Sequence, residues 1–182
     1  MFKLAPYAAA LLALAAPAAF AAKAPMVGGA AMYPSRNIVD NAARSKAHTT
    51  LVAAVKAAGL VDTLAGAGPF TVFAPTNAAF ARLPAGTVET LLRPENKAAL
   101  QSVLTYHVVP GRVRAADLVG KIKAGRGVAR LTTVQGGTLT ARLVGGKVVL
   151  TDEKGGRATV TRADVLQSNG IIHVTDAGSL PR

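Results

Sequence analysis

At Val128 the spacing of apolar residues along the chain changes from threes and fours to twos. A helix repeats its faces every 3.6 residues and a strand every 2, so one kind of element cannot serve both parts. Downstream, Leu139, Ala141 and Leu143 alternate with Thr138, Thr140 and Arg142; Val148 and Leu150 alternate with Lys147, Val149 and Thr151. Ala158 and Val160 then alternate with Arg157, Thr159 and Thr161. Gln135-Gly136-Gly137, Gly145-Gly146 and Lys154-Gly155-Gly156 supply turn chemistry at the joints, which predicts a meander. A last strand, Ile171 to Thr175, follows the turn Ser168-Asn169-Gly170. Helices first and strands later predict an α+β domain, with helices packed against a mostly antiparallel sheet or wedge.

Upstream, Leu51, Ala54, Val55 and Ala58 form one helical stripe, capped at its start by Thr49 or Thr50 and closed by Gly59. A short piece from Leu60 to Leu64 ends at Gly66, Thr87 opens a run through Leu92, and Pro94 suits the first position of a helix whose face is Ala99, Leu100, Val103 and Leu104. Tyr106-His107-Val108-Val109 reads as a strand closed by Pro110-Gly111. Between these signals lies TVFAPTNAAF, residues 71–80, in a chain only 4% aromatic. Thr71 to Phe73 is β-prone, Pro75 cannot donate to a ladder, and Thr76 or Asn77 can cap a following helix. Phe70 and Val72 then face one side of the strand, Phe73 the other, and Phe80 returns from the helix. The rings pin helix to sheet.

The N-terminus carries Lys3, an apolar run from Ala8 to Ala16, Pro17 and the small-residue pattern Ala19-Phe20-Ala21. This reads as a secretory signal peptide over residues 1–21, the alternative being a membrane anchor; the Ala-rich run broken by Pro17 falls short of the roughly 20 strongly apolar residues a span requires. Residues 22–35 carry Pro, Gly and Ala without periodicity and read as a flexible leader, leaving 36–182 as the folded domain. After signal removal no segment is long enough to span a membrane, so a secreted or periplasmic location is expected. With no Cys there is no disulfide, thiolate nucleophile or Cys-based zinc site.

The formal net charge is +12, and between Arg112 and Asp164 eleven basic residues stand against four acidic ones. Such a balance favours anionic polymers or lipid head groups. Nucleic acid is a poor candidate, because aromatic residues are too few for base stacking. In simple hairpins Arg142, Lys147 and Arg157 share the polar face with Thr138, Thr140, Thr159 and Thr161. That pattern fits either a docking face for sulfate, phosphate or uronate groups or an ordinary wetted sheet.

No reaction can be nominated. There is no GxSxG, no HExxH and no complete phosphate loop around Gly145-Gly146-Lys147, and the nine acids form no acid/base pair. Of the three His residues, His107 and His173 fall in apolar runs, where a neutral imidazole most simply satisfies a buried backbone group. No metal or cofactor is expected.

Three segments in order, TVFAPTNAAF at 71–80, YHVVPG at 106–111 and NGIIHVTDAGSLP at 169–181, resemble the fasciclin domain. The resemblance spans about Asn37 to Pro181 and extends to NIVDNA and to PAGTVETLLRPENKAALQSVLTYHVV, which look like the bacterial single-domain secreted members. It implies a β-wedge or sandwich with N-terminal helices along one edge, and adhesion or matrix interaction rather than catalysis. By position, the segments that animal relatives use toward integrins fall on Tyr106-His107 and on Asp164-Val165, with Val165 where those relatives have Ile. Gly178-Ser179 stands where bulky apolar residues are usual, implying looser packing near Leu180. The expected function is an exported module binding a surface protein or an anionic polysaccharide or lipid; the alternative is a periplasmic carrier of a small ligand in a cleft between helices and wedge.

Overall fold

The computed structural model describes residues 24–182; the signal-peptide reading lies outside them. The chain runs through β1 (Met26–Val27), β2 (Ala30–Ala31), α1 (Ile38–Ala42), a 3-10 turn (Lys46–His48), α2 (Thr49–Ala58), α3 (Val61–Ala65), β3 (Phe70–Pro75), α4 (Asn77–Ala81) and α5 (Thr87–Leu91). A second 3-10 turn (Pro94–Asn96) leads into α6 (Lys97–Tyr106), followed by β4 (Val108–Pro110), α7 (Ala115–Ala124), β5 (Ala129–Thr132), β6 (Thr138–Val144), β7 (Lys147–Thr151), β8 (Arg157–Gln167) and β9 (Gly170–Thr175). Seven strands form one sheet in the order β4-β3-β9-β8-β7-β6-β5. Its ends approach each other, the Val134 N–H donating to the Val108 carbonyl at 2.8 Å, so the sheet is a near-barrel. The α+β reading holds.

The joint at residues 71–80 forms as the sequence implies. Thr76 caps α4 by accepting from the Ala79 N–H at 3.2 Å. Alternation along β3 sends Val72 and Ala74 into a helix-side core with Leu51, Val55, Phe80, Leu100, Leu104, Ile172 and Val174, with Phe70 packed at its margin. Phe73 points the other way, into a meander-side core with Tyr106, Leu118, Ile122, Leu139 and Leu150. The strand is thus a partition between two apolar clusters, and neighbouring residues on it serve opposite sides. Beside it β9 runs parallel, pairing Phe73 with His173, whose rings stack at 5.4 Å. Every other strand pair is antiparallel.

Several expectations are corrected. Tyr106 and His107 are not in a strand: α6 continues through Tyr106, because His107 closes it by donating Nδ1–H to the Val103 carbonyl at 2.8 Å, and β4 starts at Val108. The cap of α2 is not local, since the Thr50 N–H is satisfied by Asn77 Oδ1 at 3.0 Å from across the fold. The leader is not structureless from Pro25 onward. Residues 26–31 form a two-stranded hairpin that buries Val27 and Met32, and the hairpin lies so close to the 3-10 turn that a Cβ on Gly28 (φ +57°) would strike Ser45 and Ala47. Helix α7 gave no clear signal in a charged stretch, yet Leu118 and Ile122, one turn apart, cover the meander core, and Asp117 caps its start by accepting from the Arg114 N–H at 2.9 Å. The tail is anchored by bonds to His107, Asp152 and Glu153, and a small apolar cavity lined by Gly178, Ser179 and Leu180 with Phe80 and Leu100 lies beside it.

Asn169, read from sequence as part of a turn, ties three elements together. Its Nδ2 donates to the carbonyls of Leu64 and Gly66, both at 2.7 Å, and its Oδ1 accepts from the Ile38 N–H at 3.0 Å.

Phe73→Ala should lower the unfolding free energy by about 3–5 kcal/mol through the cavity it leaves in the meander-side core. Equilibrium urea melts read this directly, and an unmoved midpoint contradicts the partition. Asn169→Ala strands one donor and two acceptors; a loss of about 1–3 kcal/mol per uncompensated group is expected, visible as early hydrogen exchange at Ile38.

Candidate functional site

The expected site residues divide into a buried set and an exposed set. Tyr106, His107 and Val165 are 0%, 3% and 1% exposed, so a partner docking on the folded surface does not meet their side chains. The Tyr106 hydroxyl donates to the Thr138 carbonyl at 2.8 Å and accepts from the Glu153 N–H at 3.1 Å, locking the end of α6 to the meander. Burial holds its phenol pKa above the ordinary value, so it remains a donor. His107 accepts at Nε2 from the Ser179 N–H at 2.9 Å while Nδ1 donates within α6. Val165 packs in the helix-side core. Asp164 is exposed at a positive φ of 57°, where Oδ1 accepts from the Ala115 N–H at 2.8 Å and so anchors the start of α7. Tyr106-His107 and Asp164-Val165 share no hydrogen bond among the described residues.

His173 repeats the logic of His107. Its Nε2–H donates to the Val113 carbonyl at 2.7 Å, and Nδ1 accepts from the Asp164 N–H at 3.2 Å. Each ring is a neutral imidazole with one nitrogen donating and the other accepting. His48, 2% exposed, bonds Ser45 Oγ through Nδ1 at 2.9 Å. Burial lowers all three pKa values, outweighing the carboxylates of Asp152 near His107 and Asp164 near His173, which act in the opposite direction. Among the described residues no three His, Asp or Glu side chains converge as a metal site would require.

Arg142, Lys147 and Arg157 all lie exposed on the outer face of the meander. The register gives that face its pattern. Arg130, Thr140, Thr151 and Arg157 form one cross-strand row, Arg142, Val149 and Thr159 form the next, and Val144 pairs with Lys147 beyond. The intervening row of Ala129, Ala141, Leu150 and Ala158 is buried inward. Arg130 was not singled out in the sequence; its alternation with Ala129 and Leu131 in a four-residue strand is the signal that places it here. The nearby acids are turned to backbone work. Asp152 accepts from Lys154, Gly156 and Leu180 N–H groups, and Glu153 from the Thr138 N–H. Among the described residues the one ion pair, Arg82 with Asp176 at 3.7 Å, involves none of the meander cations.

The helix-side cleft offers little room. An apolar cavity lined by Ile38, Leu51, Val55, Leu64, Val72 and Leu104 measures about 30 Å³, the size of one water. A wider hollow of about 280 Å³ beside Thr50, Asn77, Phe80, Pro84 and Glu89 is open to solvent.

The unfolded chain protonates its imidazoles as pH falls below about 6.5, whereas the folded chain, with their pKa values depressed, resists. Stability is therefore fully present above that pH and is lost on acidification, at up to about 1.4 kcal/mol per pH unit for each imidazole. Urea melts between about pH 7.5 and 5 should show it. His107→Ala should cost about 1–3 kcal/mol at neutral pH and flatten the acid dependence by one proton.

Comparison with known proteins agrees with this architecture. The profile of the Fasciclin domain matches residues 46–178. Protein sll1483 of Synechocystis sp. is 50% identical over 159 residues, 87% of this chain and 81% of that protein. Immunogenic protein MPB70 of Mycobacterium bovis is 38% identical over 138 residues, 73% of this chain and 63% of that protein. Among solved structures, a FAS1 domain pair from the insect cell adhesion molecule Fasciclin I superposes with a TM-score of 0.69 at 22% identity, over 79% of this chain and 50% of that one. The chain belongs to the fasciclin domain family.

Proposed function

We propose that the protein is an exported, non-catalytic adhesion or surface-interaction module that binds anionic surface components through the outer face of its meander. The observation that carries this reading is the set of exposed cations Arg130, Arg142, Lys147 and Arg157, which have no carboxylate partner among the described residues. An uncompensated basic face attracts anionic polymers and raises their local concentration. The family supports the class of function. A second mycobacterial relative, 51% identical over 61 residues, is a cell surface glycolipoprotein, and the insect structural neighbour is a cell adhesion molecule. The signal-like pattern of the first 21 residues supports export to the periplasm or beyond the cell, and no helix among the described residues is long and apolar enough to cross a membrane.

The enclosed apolar cavity gives the carrier alternative no support, since about 30 Å³ is an order of magnitude below an organic ligand site, and the hollow of about 280 Å³ beside Thr50 and Glu89 is open to solvent.

Incubating the protein with envelope fractions and with host matrix, followed by sedimentation, tests the reading. Retention is expected at low ionic strength and should fall as salt rises past about 0.15 M, where screening acts within about 8 Å. No retention on any surface, or retention indifferent to salt, counts against it.

A further inference from the structure

The sheet register arranges the meander cations in a line. Arg130 pairs with Thr140, and Arg142 stands two residues further along β6, which makes Arg130 and Arg142 diagonal neighbours. Arg142 pairs with Val149, and Lys147 stands two residues from Val149 on β7, which repeats the same diagonal step. Diagonal neighbours in an antiparallel sheet lie about 7–8 Å apart. Three cations on three successive strands therefore fall on one oblique track with two equal steps. Arg157 lies off it, at the far end of the Arg130 row.

We propose that Arg130, Arg142 and Lys147 form a track for a linear acidic polysaccharide lying diagonally across β5, β6 and β7, its carboxylate or sulfate groups paired with successive cations and a hydroxyl meeting Thr140 between Arg130 and Arg142. The inference rests on the surface-interaction reading and gives it a partner class and a direction.

Three features select this occupant. Side chains on one sheet face stand roughly perpendicular to it, so cations a diagonal step apart present parallel charges to an extended chain and do not converge on one small anion. The face has no aromatic residue, so it offers no stacking platform for nucleobases. Among its apolar residues Val144 alone is a large exposed side chain, at the hairpin tip, and one valine gives a bilayer little apolar area to bury. Guanidinium groups at two of the three positions suit bidentate pairing with carboxylate and sulfate oxygens.

The test compares the wild type with Arg130→Gln/Arg142→Gln/Lys147→Gln and with a control of equal charge loss, Lys56→Gln/Lys121→Gln/Lys123→Gln, whose positions are exposed on α2 and α7. Affinity for polygalacturonate and for heparin is measured across a salt series, and thermal melts verify that all three fold. The track variant should bind about tenfold or more weakly at low salt, and its log affinity against log salt should flatten by about 2–3. The control should keep the wild-type slope. Arg142→Gln, at the centre of the track, should weaken binding more than Arg157→Gln.

Equal losses in track and control variants would show that only net charge matters and overturn the track. So would stronger retention of the wild type on phosphatidylglycerol vesicles than on polygalacturonate, or full competition by monomeric galacturonate at equal charge concentration. If the wild type adheres to envelope fractions and the track variant adheres as well, the track is wrong while the surface-interaction reading stands. A wild type that adheres to no surface removes that reading itself.

Discussion

The parallel contact between β3 and β9 carries the rest of the architecture. Because the two strands lie side by side inside the sheet, flanked by β4 and β8, Val72, Ala74, Ile172 and Val174 gather on the helix side. Phe73 and His173 stack on the other, where Phe73 joins the meander-side core. The buried His173 imidazole has both ring nitrogens bonded, which offsets the cost of burying them, and Val113 and Asp164 supply those bonds from two separate segments. Packing and polar satisfaction are thus one constraint here: the ring that fills space beside Phe73 also fixes where α7 begins.

Much of this was legible in residue spacing. The change of period at Val128 located the meander, Thr76 and Gly59 marked helix ends through side-chain chemistry and a left-handed φ of 70°, and the alternation around Phe73 assigned its rings to opposite faces. Legibility failed where distant groups decided the outcome. His107 turned a β-prone Tyr-His-Val-Val run into a helix end by bonding four residues back, and Asn77 capped α2 from 27 residues away. Helix α7 escaped because its apolar stripe is two residues wide and its other faces are charged. On the surface, Arg142, Lys147 and Arg157 were readable from alternation alone, but the linear relation among Arg130, Arg142 and Lys147 depends on cross-strand register, which no single strand encodes.

The division of labour between interior and exterior follows from how the acids are spent. Asp152 and Glu153 could have neutralised the meander, yet their oxygens receive backbone N–H groups from β6, from the β7–β8 turn and from the C-terminal tail. Asp164 and Asp117 do the same at the start of α7. Carboxylates used for turns and caps stabilise the scaffold locally, and in consequence they leave the outer cations facing solvent without an ion-pair partner among the described residues.

The near-closure of the sheet, where Val134 reaches Val108, bears on how such molecules can crowd together. A long open strand edge invites another chain to extend the ladder, and densely deposited copies would then grow into fibrils. Here the segment after β5 reaches back to β4 through Val134 and Val108, so part of the exposed edge is occupied and that route to self-assembly is narrowed. Copies held at high local density then have less strand edge through which to pair, which favours assembly through side chains or a shared polymer.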